Sequence, residues 1–323
     1  MKKVLCFAAA AMTLFASCQK TEIVYNNDGP QEISFFAVNK VATKAPIDGA
    51  VFPTTDKMNV AAYLAAGGSS VGNYFGKTVF SNSGTYWTGS RYWPITASTI
   101  NFLAVSEPQT DSPITSITFD ASAGAKGATI EISGNNTKQY DLMYAVGQGK
   151  CEPAIYPKVN MQFRHALTWL FFTVKSNVAG VVTVNSITVN NTACDGTLTI
   201  DNSSNYAATA DVNSTTATIG ASWASGTKNS NEVVGTPTEC TAASTQYDFG
   251  SLLVLPTASE SKSFTINYTL KNGSDETTFN YTYSFTSDWK MSSKYTYNIT
   301  IGLTAIEISP SVIPWTEETD VNF

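Results

Sequence analysis

Ser263-Phe264-Thr265-Ile266-Asn267-Tyr268-Thr269-Leu270, then Lys271-Asn272-Gly273-Ser274, then Thr277-Thr278-Phe279-Asn280-Tyr281-Thr282-Tyr283-Ser284-Phe285 is the stretch that decides the fold. It reads as strand, turn, strand. β-branched and aromatic side chains suit a pleated, half-buried surface, and Asn-Gly between two such runs is a hairpin signal. Working outward, further strands are expected at Val181–Val189, Thr197–Ile200, Leu252–Leu255 and Tyr295–Leu303. The run Met161 to Val174 is ambiguous by periodicity alone, but Leu170, Phe172 and Val174 alternate, which favours a strand at its end.

The first half has the same grammar. Strands are expected at Ile33–Val38, Met58–Leu64, Thr78–Phe80, Thr85–Trp87, Thr99–Val105, Ile114–Asp120 and Thr129–Ile132. Val60, Ala62 and Leu64 share one face, and Gly67 to Ser70 breaks that strand. Short strands separated by turn residues at regular intervals are the signature of a sandwich or barrel. Residues 201–247, poor in large apolar side chains, read as an elaborated loop with one or two edge strands. No segment keeps an amphipathic helical pattern for more than two turns.

The chain has 323 residues, room for two domains of ordinary size. A Gly/Pro-rich piece through Pro153 and Pro157 sets the expected boundary near residue 158. The expected division is 1–17 leader, 18–45 tether and first strand, 46–158 and 159–303 two β-domains, and 304–323 a tail. Net charge is −6 and no Lys/Arg cluster occurs, so nucleic acid is not an expected partner.

The chemistry-bearing residues are sparse. His165 is the sole histidine, lies in an apolar run, and has no G-x-S-x-G nucleophile to serve, so it reads as a packing or hydrogen-bonding residue near the junction. Asp141, Glu152, Asp195, Asp248 and Asp288 could form carboxylate pairs, but each reads as a turn or strand-end residue. Gly-rich phosphate loops and C-x-x-C are absent. No catalytic residue, metal site or cofactor is expected. Of five cysteines, Cys6 lies in the leader, and Cys151, Cys194 and Cys240 form an odd set whose pairing spacing does not fix. The aromatic cluster Tyr86 to Pro94 has two readings: Trp87 and Trp93 flank a Gly turn and stabilise a hairpin, or they form a sugar platform of a lipid-anchored, glycan-binding surface protein.

The ends carry more. Met1-Lys2-Lys3, an apolar run from Val4 to Phe15, and Ala16-Ser17-Cys18 make a short leader, too short to span a bilayer permanently. The last part resembles a bacterial lipobox, which implies cleavage before Cys18 and lipid on that cysteine. Lys40 to Pro46 reads as a loop in which Pro46 holds Ala45 extended, a form suited to a protease at Lys44-Ala45. The tail alternates apolar residues around Pro310 and Pro314 and ends at Phe323. Prolines confine such a strand to a sheet edge. It either packs back on its own domain or adds to an edge of another subunit.

Together these pieces resemble the bacterial fimbrillin family, subunits of type V pili. The matching stretches are the lipobox at Cys18, Ala42-Thr43-Lys44-Ala45-Pro46-Ile47 with Phe52-Pro53, Tyr92-Trp93-Pro94, Asp141-Leu142-Met143-Tyr144-Ala145, Phe163-Arg164-His165-Ala166-Leu167, and Ile308 to Trp315. The resemblance implies an all-β fold of two tandem transthyretin-like sandwiches, export as a lipoprotein to the cell outer membrane, and no enzymatic activity. It implies a removable first strand carrying Ile33, Phe35 and Ala37. It also implies a donor strand carrying Ile306, Ile308, Val312, Ile313 and Trp315, which fills the vacated groove of the next subunit. Implied partners are other pilin subunits, alike or different, the outer membrane through lipid, and a host or bacterial surface receptor. Lys44 stands where the family's polymerising subunits commonly carry Arg; the only arginines here are Arg91 and Arg164.

Overall fold

The computed structural model describes residues 23–24, 30–38, 55–66, 69–107, 111–120, 127–152, 155–201, 220–224, 226–242 and 245–315. Cys18, Lys44, Ala45, the leader and the residues after 315 lie outside them. The described chain is almost entirely β, with one helical turn at Asn135–Lys138. The β-sandwich class expected from the strand spacing is the fold observed.

The deciding hairpin forms between strands Thr257–Asn272 and Asp275–Trp289. Asn272 pairs with Asp275, and Gly273 takes φ +66°, a left-handed conformation that glycine adopts without a Cβ penalty. This hairpin continues onto Val181–Thr192, which also carries Asn229–Glu232 and Thr238–Thr241. Opposite it lies a sheet ordered Val234–Gly235, Tyr247–Val254, Thr168–Ser176, Ser293–Ile301, Ile306–Pro314. Phe172, Phe264 and Tyr297 meet between the two sheets with ring centroids 4.7–5.5 Å apart. The buried Trp289 indole N–H donates to the Tyr297 hydroxyl at 2.9 Å, so the polar end of the ring is satisfied inside the core.

The other sandwich is built on an eight-stranded sheet. Its order is Val159–Gln162, Glu32–Val38, Trp87–Tyr92, Ser69–Asn82, Lys57–Ala66, Ser98–Glu107, Met143–Cys151, Arg164–His165. The sheet curls until Val159–Gln162 leans on Met143–Cys151. At Gly147 a Cβ would collide with Met161 and Val159, and at Gly149 with Trp93 and Val159, so both positions have to be bare. The inside of the curl holds Ile33, Phe35, Met58, Phe80, Trp87, Trp93 and Phe102. The outer face buries Tyr63, Leu103, Tyr144 and Val146 against a second sheet ordered Gly220–Ala224, Gly196–Asp201, Gly127–Ile132, Ile114–Phe119. Gly196–Asp201, which follows the expected boundary near residue 158, is thus paired with Gly127–Ile132, which precedes it, and carries Gly220–Ala224 on its other side.

Several local expectations are corrected. Gly89 is no turn: it sits inside Trp87–Tyr92, where a Cβ would crowd the Phe80 ring at 2.8 Å. The strand expected to break at Gly67 to Ser70 does end at Ala66, but the break is shorter than expected, since Ser69 and Ser70 already begin the next, 14-residue strand. The region 201–247 holds four short strands among its described residues besides the start of Tyr247–Val254, where one or two were expected. Cys151, Cys194 and Cys240 are buried free thiols. Burial, with the Asp195 charge beside it, pushes the Cys194 thiol up to about 12, which leaves it protonated and inert.

Candidate assembly interface

The Glu32–Val38 strand is an interior element. On one side it pairs antiparallel with Trp87–Tyr92, with partners Glu32–Tyr92, Ser34–Thr88 and Phe35–Trp87 and a bulge between the first two. On the other it pairs in parallel with Val159–Gln162, Phe35 against Val159 through Val38 against Gln162, and Ala37 opposite Met161. Alternation does the rest: Ile33 and Phe35 point into the curl and are fully buried. The Phe35 ring meets Phe80 and Phe102 edge-on, each at 5.0 Å. On the outer face Phe36 packs against Tyr86 at 4.9 Å, and the Lys158 ammonium lies 3.8 Å over the Tyr86 ring. The strand is also tied at its start, where Trp93 N–H donates to the Gln31 carbonyl at 2.9 Å. The Ser90 N–H donates to the Glu32 carboxylate at 2.8 Å.

The tail forms the strand Ile306–Pro314, at the edge of its sheet and paired only with Ser293–Ile301. Ile306 is buried and Ile308 half-buried against the sandwich core. Val312 and Ile313 are 53% and 52% exposed. Trp315 then leaves the strand and buries in the core shared with Leu142, Tyr144, Ala166 and Trp169. Its ring stacks on His165 at 3.7 Å with an 8° interplanar angle. His165 Nδ1 lies 2.7 Å from the Asp141 carboxylate. Nearby, burial raises the Tyr144 phenol and lowers the Arg164 guanidinium, each effect partly offset by the other group.

The other chemistry-bearing candidates do not converge. Asp141 is committed to His165 and Asp195 to the Asn135 N–H. Glu152 makes an exposed ion pair with Lys150. Among the described residues no group of three or more His, Cys, Asp or Glu could hold a metal ion. Trp87 and Trp93 are each 3% exposed, which removes them from any sugar platform and corrects that reading. Sequence reasoning missed the Asp141–His165–Trp315 stack: its members lie far apart in the chain, and only the aromatic and acidic residue types hinted at it.

The sequence model of the fimbrillin-like family matches residues 20–315. No curated protein matches the chain. Among solved structures it is similar to a fimbrial protein from Bacteroides vulgatus, 16% identical with a TM-score of 0.58, covering 80% of this chain and 93% of that one. It is similar to a candidate cell adhesion protein from Bacteroides uniformis, 19% identical with a TM-score of 0.52, covering 88% and 99%. A third, also a candidate cell adhesion protein, from Bacteroides ovatus, is 14% identical with a TM-score of 0.52, covering 90% and 100%. At these identities the likeness is one of fold.

Proposed function

The chain belongs to the fimbrillin-like family, one of fimbrial structural and adhesion proteins and not of enzymes, and from that premise we propose a subunit of a cell-surface fimbrium that assembles by donor-strand exchange. The carrying observation is the seat of Glu32–Val38. A strand upstream of Lys44 and Ala45 is enclosed within a sheet, second from its edge and paired on both sides, with Ile33 and Phe35 fully buried. Cutting the chain at Lys44 and withdrawing that strand leaves a groove with two bare ladders, Trp87–Tyr92 and Val159–Gln162, above a floor of Phe80, Phe102 and Trp93. Bare ladders and apolar pockets of period two are what a donated strand completes.

The donor in this reading is the tail, whose Ile306, Ile308, Val312, Ile313 and Trp315 supply the side chains. Lipid on Cys18 carries the subunit to the outer membrane, and the neighbours are other pilin subunits of the same or a related chain. Adhesion to a host or bacterial surface receptor belongs to the assembled fimbrium. No helix among the described residues is long and apolar enough to cross a membrane, and acyl chains on Cys18 supply the anchor in this scheme.

N-terminal sequencing and mass measurement of the protein sheared from cells test the maturation. A start at Ala45 is expected for a polymerising subunit. An acylated Cys18 in sheared fimbriae would contradict removal of the first strand.

A further inference from the structure

The two flanks of the tail strand are not equivalent. Gly302 N–H donates to the Ala305 carbonyl, and Trp315 N–H donates to the Ser292 carbonyl. These bonds bracket the strand and place the backbone groups of its odd-numbered residues on the Ser293–Ile301 side. Even-numbered residues therefore face outward, and among them are Pro310 and Pro314, opposite Tyr297 and Ser293. The outward flank lacks two donors and cannot ladder across residues 310–314. The flank that can pair along its whole length is already in use at home.

The home contact is held unevenly. From Pro310 to Pro314 the strand is exposed, yet Trp315 just beyond it is 4% exposed. Its slot joins both sandwiches: His165 and Asp141 on one side, Trp169 at 5.4 Å on the other. Ser292 knits the slot together, donating its hydroxyl to the His165 carbonyl at 2.6 Å and its N–H to Leu167 at 3.1 Å while accepting from Trp315.

We propose that Trp315 is the latch that keeps the tail strand at home, and that a neighbouring copy receives the strand only after the indole leaves its slot on His165. The inference rests on the tail being the donor. The proline flank bars a neighbour from pairing along the whole docked strand, so exchange proceeds by release from Ser293–Ile301 and not by addition to the free edge.

Amide hydrogen exchange on the intact full chain tests the latch without any assembly step. Trp315→Ala is expected to speed exchange at Glu307, Ser309, Ser311 and Ile313 by about tenfold or more, with Tyr247–Val254 unchanged as the control for global folding. Equal exchange at those four amides in wild type and variant overturns the latch. A second variant, Thr296→Cys with Ser311→Cys, places thiols on directly opposed residues and locks the strand at home when oxidised. The locked chain is expected to stay out of polymers and to enter them on reduction. Polymerisation with the disulfide intact overturns obligatory release. A chain lacking residues 305–323 that still polymerises counts against the donor reading instead, so the two failures are distinguishable.

Discussion

Removing residues 305–323 is expected to leave a folded, monomeric subunit that cannot extend a fimbrium. The segment is an edge strand, so its loss leaves the ladder between Ser293–Ile301 and Thr168–Ser176 in place. The main structural cost is the Trp315 indole; truncating a buried aromatic costs about 3–5 kcal/mol. That lowers the melting temperature without erasing a core that also holds Phe172, Phe264 and Trp289. The functional cost is total in the proposed scheme, because the truncated subunit can receive a strand but has none to give. Size-exclusion chromatography and electron microscopy of sheared material read the two effects separately. Filaments of normal length from the truncated chain would remove the tail from the assembly.

Phe35→Ala is expected to destabilise the uncleaved chain by about 3–5 kcal/mol, the range for large-to-small changes in a packed core. Phe35 is fully buried between Phe80 and Phe102, two rings held by strands that stay behind in the proposed scheme, where the first strand leaves. Denaturant midpoints measure the change. The same substitution should leave assembled fimbriae as stable as wild type, because in the proposed scheme processing at Lys44 removes residue 35 from the molecule. A matching loss of stability in the assembled state would mean that the first strand is retained.

The hairpin around Gly273 was legible because it is local: the turn residues and the strands they join are adjacent in sequence. Met143–Cys151 was hidden by its own glycines. Gly147 and Gly149 look like breakers in a linear reading, but their bareness answers to Val159, Met161 and Trp93, which only the curled sheet brings near. Gly89 misled in the same way, since the Phe80 ring dictates it. The short strands between residues 220 and 241 carry mostly exposed side chains and are held by backbone ladders, which leave little pattern in side-chain identity. The pairing of Gly196–Asp201 with Gly127–Ile132 spans a sequence distance that no local signal bridges. At the interface, the alternation and prolines of the tail pointed to an edge strand, which is what forms. The slot for Trp315 was not legible, because Asp141, His165, Ser292 and Trp315 meet only in three dimensions.

The most direct measurement is binding of a synthetic peptide spanning residues 305–323 to the subunit before and after cleavage at Lys44 and removal of the first strand. The account predicts that the peptide binds the cleaved subunit, protects the amides of Trp87–Tyr92 and Val159–Gln162 from exchange, and does not bind the uncleaved chain. Equal binding to both forms, or no binding to the cleaved one, would contradict it.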